Sequence, residues 1–436
     1  MTISTGPNRA RQNDNRHPED TMARRWPVFF DSSWYLAVYP DVAAAGRNAR
    51  RHYLRHGRHE GRWPTALRAV WHERDLRWGL LDGALTRLHD LAQTATGAEA
   101  VWARLACARA AVRDDDWHTA ADWLAPLDPD QDIVRGFALP DPALLAIEVA
   151  IATQDVPRAT QICAAARRWF GKTPDIRLAH ANLRALTHGH DAAWQRIMAG
   201  VFRTRGLSGL CVTLGDSSGN SSGNPSGESP AFDRLGPAAG LWTSHKSGPL
   251  VSVIVPARDC ADTLPTALRS LCQQTHQTLE IIVVENGSTD ATASVAARWA
   301  TAHPGRIRVL RAPDAASAYD ARNLGMAAAT GAYVTVLDAD DWAHPQRITR
   351  QVTTLRRTPK AAATICDWVR VTSDLQFRRW WKDDGLIHPD ISSLMIRQEA
   401  RTALGFWDRV RVGADTEYHD RLRARFGADA VPPTAA

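Results

Sequence analysis

From Val251 to Leu337, short apolar and β-branched runs alternate with stretches of about a dozen residues patterned as helices. The runs are "VSVIVPA" (251–257), "LEIIVVE" (279–285), "RIRVLRA" (306–312) and "AYVTVL" (332–337). Between them lie "TLPTALRSLCQQ" (263–274), "DATASVAARWATA" (290–302) and "AYDARNLGMAAATG" (318–331). A parallel pair of strands needs a crossover long enough to form a helix that packs back on the sheet, so this alternation predicts a mostly parallel sheet covered on both faces. Ligands of such sheets bind beyond the carboxyl ends of the strands. Both polar clusters of this region fall there.

One cluster is "ENGSTD", Glu285 to Asp290. Gly287 permits a tight turn, and Ser288, Thr289 or Asp290 can cap the next helix. Glu285 and Asn286, at the strand end, could hydrogen-bond a base or ribose. The other is "GAYVTVLDADDW", which crowds Asp338, Asp340 and Asp341 into four positions. Like charges that close raise one another's pKa unless something neutralises them. Three carboxylates at a strand end suit a hard divalent cation, Mg²⁺ or Mn²⁺, shared with substrate phosphates. Read structurally, either cluster is an ordinary acidic turn; two at one sheet edge favour a site.

The chain of 436 residues predicts two or three domains. Its 23% charged and 44% hydrophobic residues are those of a globular protein, and its net charge of +6 fits binding to anions without any nucleic-acid signature. The six cysteines include no CxxC pair, which argues against a disulfide framework or a structural zinc site. No signal peptide and no run of about 20 apolar residues is present, so a cytoplasmic location is expected, with peripheral attachment to a membrane compatible with it.

Residues 1–26 read as a disordered tail. Residues 27–65 read as a small helical module in which Trp34, Tyr35, Tyr39 and Val42 pack together, with His52 and His56 on a basic helix face rather than on a metal. Residues 66–206 are helical in pattern, with Ala84/Leu88, Ala120/Leu124, Ala159/Cys163 and Ala193/Ile197 recurring at steps of 36, 39 and 34 residues. Steps near 34 mark stacked helix–turn–helix units, a tetratricopeptide-like array, against which stands a plain bundle. Such an array suggests a surface for a protein partner. Residues 207–248, with "GDSSGNSSGNPSGESP", read as a Gly/Ser/Pro-rich linker. Residues 249–436 form the last domain.

The stretches "VSVIVPAR", "IIVVENGSTD", "DARNLGMAAATGAYVTVLDADDW" and "LGFWDRVRVGADTEYHDRL" resemble, in order and spacing, the inverting glycosyltransferases of family 2. The segment Phe29 to Pro64 is similar to a YPDV…HYL…EGR pattern appended to bacterial glycosyltransferases. The resemblance implies an α/β fold: a GT-A (Rossmann-like) nucleotide-diphospho-sugar transferase domain at the C-terminus, preceded by an all-α helical-repeat region. It implies that Pro256, Ala257, Glu285, Asn286, Arg322, Asn323 and Asp338 bind the nucleotide sugar, and that Asp340 and Asp341 hold Mn²⁺ or Mg²⁺. Glu-Asn stands where the family usually has two Asp, and an Asn can still accept from a uracil N3–H, which favours UDP.

By the same resemblance Asp415 is the catalytic base, with Glu417 beside it; read locally, Asp415 caps the helix that follows. Trp380, Trp381 and His388 are candidates for the acceptor, a glycan or lipid-linked hydroxyl in surface polysaccharide or glycoconjugate synthesis. Two other functions fit parts of the sequence. A helical-repeat scaffold with a nucleotide-binding but weakly active domain suits the Glu-Asn departure and is opposed by the intact acids. A nucleotidyltransferase would want a glycine-rich loop after the first strand, which "PARDCADT" lacks.

Overall fold

The structure, a computed structural model, describes residues 28–79, 83–213, 229–238, 248–379, 385–410 and 412–434. The expected tail at 1–26, the Gly/Ser stretch from 214 to 228, and Trp380 and Trp381 lie outside them. The chain divides into two compact units, Met1–Gly171 and Lys172–Ala436. The division falls inside the helical stretch expected to run from 66 to 206.

In the first unit, Arg68–Trp78, Ala84–Thr94, Gly97–Arg113, Trp117–Leu124, Asp141–Ala152 and Val156–Phe170 are α-helices. An acidic residue explains where two of them begin. Asp116 accepts from Thr119 N at 3.0 Å and Asp155 from Arg158 N at 3.1 Å, each an N-cap contributing about 1 kcal/mol. Residues Ala84, Leu88, Ala120, Leu124, Ala159 and Cys163 are all buried. The Phe30–Tyr53 segment has its own core of Phe30, Tyr35, Val42, Ala49 and Tyr53, against which Trp34 and Tyr39 pack. His52 is not on an open basic face: it is buried, with Nδ1 3.1 Å from the Tyr35 hydroxyl, because the chain closes around the tyrosines.

The second unit starts with a helical hairpin, α1 (Pro174–His188) and α2 (Ala192–Arg203), whose turn ends on Asp191 accepting from Trp194 N at 2.8 Å. Here the recurrent pair is out by one residue: Trp194 and Met198 are buried, and Ala193 and Ile197 are only half-buried. Strands β1 (Leu210–Val212) and β2 (Leu235–Pro237) pair antiparallel.

The main body follows as β3 (Val251–Ala257), α3 (Leu264–Cys272), β4 (Leu279–Glu285), α4 (Thr292–Ala302), β5 (Ile307–Arg311), α5 (Ala318–Ala328), β6 (Tyr333–Val336), α6 (Arg347–Arg357), β7 (Ala363–Val371), β8 (Phe377–Arg378), β9 (Ile387–Arg397), α7 (Gln398–Leu404) and α8 (Ala414–Phe426). The sheet runs β5-β4-β3-β6-β9-β7-β8. Strands β3 to β6 are parallel, as the alternation requires, but β9 runs antiparallel to β6, and β7 antiparallel to β9. The sheet is therefore mixed.

Alternation along β3 builds both cores. Val251, Val253 and Val255 pack with Leu268 of α3, Val295 of α4 and Val352 of α6. Ile254 faces the other way, with Met326 of α5 and Tyr418 of α8. Fully burying each such aliphatic side chain contributes about 1.5–3 kcal/mol. Gly331 is needed where β6 enters: a Cβ there would lie 2.7 Å from Ser252 N and 2.8 Å from Leu250 O.

The hairpin belongs to this unit by specific bonds. Asn182 of α1 donates through Nδ2 to Phe377 O and accepts at Oδ1 from Phe377 N, both at 2.7 Å, and so acts as a partner strand for β8. Asp175 accepts from Leu386 N at 2.7 Å, and Ser208 N donates to Gln346 Oε1 at 2.8 Å.

Candidate active site

The carboxyl ends of β3, β4 and β6 supply the first part of the site. The loops after β3 and β4 are knitted together: Thr289 N donates to Asp259 Oδ1 at 2.7 Å, and Cys260 N to Thr292 Oγ1 at 2.8 Å. Asn286 N donates to Ala257 O at 2.9 Å, carrying the ladder one residue past β4. Glu285 is buried and accepts from Ser288 N at 2.6 Å, so its carboxylate closes the turn that Gly287 permits at φ +62°. The buried Asn286 Oδ1 meets no donor among the described residues. Pro256 is half-buried beside it and Ala257 is covered.

The second part is carboxylate-rich. Asp338 is half-buried just past β6, and Asp340 and Asp341 are exposed. Burial, then repulsion from Asp338, Asp340 and Asp390, raises the Asp341 carboxyl to about 7. A group open to solvent yet surrounded by protein sits on the floor of a cleft, which reconciles its exposure with that shift. Asp390 of β9 is raised in the same way, by burial and by Asp338 against the pull of Arg347.

Arg322 of α5 joins these acids to the far wall. Its guanidinium is buried, with Nη2 2.6 and 2.9 Å from the Asp338 oxygens and Nη1 2.9 and 2.8 Å from those of Asp415. Burial opposes its charge and the two carboxylates outweigh it, so its pKa is raised. The Tyr319 hydroxyl, one helical turn earlier, donates to Asp415 Oδ2 at 3.1 Å. Asp415 lies in the first turn of α8, where Gly413 stands at the N-cap and no side chain caps. The capping role read locally is thus not what its carboxylate does.

Other expected residues are placed differently. Asn323 pairs its Nδ2 and Oδ1 with Trp407 O and N, both at 2.9 Å, which fixes the loop before α8 rather than leaving the amide open to a nucleotide. Glu417 turns to Arg421, with Oε1 2.8 Å from Nε, because the two stand one turn apart. His388 is buried in β9 opposite Trp368, while Ile387 and Pro389 on either side of it line the cavity described next.

A cavity of about 1000 Å³ opens from Asp338, Asp340, Asp341 and Asp415, and β7, β9, α1 and α2 wall it. The acids fit a hard divalent cation by charge and donor type. Among the described residues no three His, Cys, Asp or Glu side chains converge as a ready-made cage. Such an ion would take one or two of these carboxylates and complete its shell with phosphate oxygens and water.

Tyr319 and Asp390 escaped sequence reasoning. Tyr319 precedes Arg322 by three residues, on the same helix face, a spacing that could have flagged it. Asp390 carried no local signal, since only the pairing of β9 with β6 and β7 brings it to the acids.

A half-parallel sheet with an acidic rim at the end of β6 and a mixed extension beyond defines a GT-A-like domain. Residues 252–412 match the family described as Glycosyl transferase family 2. "Uncharacterized glycosyltransferase YibD" of Escherichia coli is 40% identical over 95 residues, 22% of this chain and 27% of that protein. "Succinoglycan biosynthesis protein ExoO" of Rhizobium meliloti is 36% identical over 117 residues, 27% of this chain and 32% of that protein. The chain thus spans about a third of the length of these relatives. The solved "Mannosyltransferase PcManGT from Pyrobaculum calidifontis in complex with GDP-Man and Mn2+" is 22% identical, covering 45% of this chain and 61% of that one, with a TM-score of 0.34. No helix among the described residues is long and apolar enough to cross a membrane.

Proposed function

We propose that the second unit transfers a glycosyl group, with inversion, from a nucleoside-diphosphate sugar to a hydroxyl acceptor. The observation that carries this reading is the convergence of Asp338, Asp340, Asp341 and Asp415 on one cavity, with Arg322 bonded to the first and last of them. The nucleotide lies over the ends of β3 and β4. There the buried Asn286 Oδ1, without a protein donor, can accept from a uracil N3–H, which favours UDP. Asp340 and Asp341 would hold Mg²⁺ or Mn²⁺, which would supply positive charge to a diphosphate leaving group.

Asp415 takes the acceptor's hydroxyl proton as that oxygen bonds to the anomeric carbon and the carbon–oxygen bond to the diphosphate breaks. Tyr319 and Arg322 keep its carboxylate oriented. The likeness to a succinoglycan biosynthesis protein of Rhizobium meliloti supports a place in surface polysaccharide synthesis for this chain too. Work at the cytoplasmic face of a membrane, with the first unit docking a protein partner, goes with that place.

The test is a panel of UDP-, GDP- and other nucleoside-diphosphate sugars with Mn²⁺ or Mg²⁺, following release of the nucleoside diphosphate. Release with one donor that depends on metal and on Asp415 supports the reading. Tight UDP binding with no release from any donor and acceptor would leave a scaffold.

A further inference from the structure

The cavity beyond the acids is not a nucleotide pocket. Ala257, Glu285 and Asn286 do not line it. It runs from Asp338, Asp340, Asp341 and Asp415 toward α1 and α2, which precede the family match at residues 252–412. A volume of about 1000 Å³ is large for one ligand pocket. Beyond the acids, its lining is open to whatever meets them from the side away from the base-binding edge.

Its chemistry is lopsided. Among the described residues from Pro174 to Leu235 that line it, Arg205 alone is charged and the others are apolar. Phe202 and Leu207 keep part of their surface open, with Met198 and Val201 buried behind them. Trp368 of β7 and Ile391 of β9, both half-buried, face the same space. Hydroxyls turned toward this wall would find Arg205 as their one charged partner, so burying them there is costly, whereas hydrocarbon loses nothing. The opposite side is polar, with Arg347, Arg370, Asp390 and Ser393 beside the acids, and charge also flanks the apolar wall. Arg350 donates through Nη2 to Gly206 O, next to Arg205, which itself pairs with Asp367 at 3.5 Å. Arg205 and Arg350 thus stand on either side of Gly206, and guanidinium suits phosphate.

We propose that this cavity is the acceptor site and that the acceptor is a phosphorylated amphiphile. Its hydrocarbon part lies against α2 and the turn to Leu210, its phosphate meets Arg205 and Arg350, and its hydroxyl reaches Asp415. The hairpin of α1 and α2 is then part of the transferase rather than an appended module. This rests on the transferase reading for the word acceptor, but not for the binding itself.

Isothermal titration of the full chain with farnesyl phosphate, oleoyl lysophosphatidate and maltotriose, each below any micelle concentration, tests it, with UDP and Mn²⁺ titrated in parallel. One or both amphiphiles should bind, and which one does separates an isoprenoid source from an acyl one. Phe202→Ser and Leu207→Asp, both checked by melting temperature, should weaken that binding about tenfold or more, as loss of apolar contact in a desolvated site does. Arg205→Glu should discriminate against the phosphate. Neither amphiphile binding while UDP does, maltotriose binding in their place, or unchanged affinity in both wall variants overturns the proposal. Amphiphile binding without UDP binding keeps the cavity assignment and sinks the transferase reading alone.

Discussion

Arg322 and Asp415 lie 93 residues apart in the chain and form a charge-assisted pair, the Nη1 of one 2.8 and 2.9 Å from both oxygens of the other. The opposite edge of the same guanidinium grips Asp338. One buried cation thus ties the carboxylate at the end of β6 to the carboxylate we propose as base.

Removing that cation leaves two carboxylates facing one another in a part-buried site. Arg322→Gln should cost about 3 kcal/mol or more of stability, the usual result of orphaning a buried charge. Arg322→Lys keeps the charge but not the two-edged geometry, and should lose less stability while disturbing the separation of the two acids. Urea denaturation of both variants checks this; equal midpoints for Gln and wild type would refute the clamp.

The two ends of the site should separate in binding experiments. Asp340→Asn should abolish the metal-dependent part of UDP binding, since it removes a hard anionic ligand. Asp415→Asn should leave UDP binding with Mn²⁺ within about twofold of wild type and lower transfer by a factor of about 10² or more, as expected for loss of a general base. Transfer unchanged in Asp415→Asn would show that the base is elsewhere.

His344 gives the fold an acid sensitivity. Burial, with Arg350 nearby, pushes its imidazole down to about 4, against the hydrogen bond to Ser208 O. A histidine depressed in the folded state is neutral in both states above about pH 6.5, and there it adds no pH dependence. As pH falls from about 6.5 to about 4 the unfolded chain takes up a proton that the folded one refuses, so stability declines. Below about 4 both are protonated and the loss stops growing, at no more than about 3 kcal/mol. The difference in stability between wild type and His344→Asn, measured from pH 7.5 to 4, should narrow or reverse across that window; a constant difference would contradict it.

Asn182 is the hairpin's tie to the sheet edge. Asn182→Ala orphans the buried N–H and C=O of Phe377 and should cost about 2–4 kcal/mol. Hydrogen exchange at the Phe377 amide should accelerate in the variant. Protection equal to wild type would mean that β8 does not depend on the hairpin.

Much of the second unit was legible from local text. The apolar, β-branched runs of β3 and β4 and the helices between them depend on neighbours alone, so β3, β4, β5 and β6 appear where the runs are. The acids at 338, 340 and 341 stand at the end of β6 because a strand ends where its apolar residues do. Strands β7 and β9 were not anticipated. Each is paired to a partner far along the chain, and "CDWVR" and "HPDIS" mix exposed and buried positions that no simple alternation describes.

Local text set the parallel half of the sheet, the acidic rim and the place of Asp415 at the start of a helix, all consequences of side chains acting on their own stretch of backbone. It took the folded chain to join Arg322 to both Asp338 and Asp415, to pair Asn323 with Trp407, and to set α1 and α2 as walls of the cavity at the acids. Each of those depends on which surfaces meet across tens or hundreds of residues. Packing and desolvation, not propensity, select such contacts.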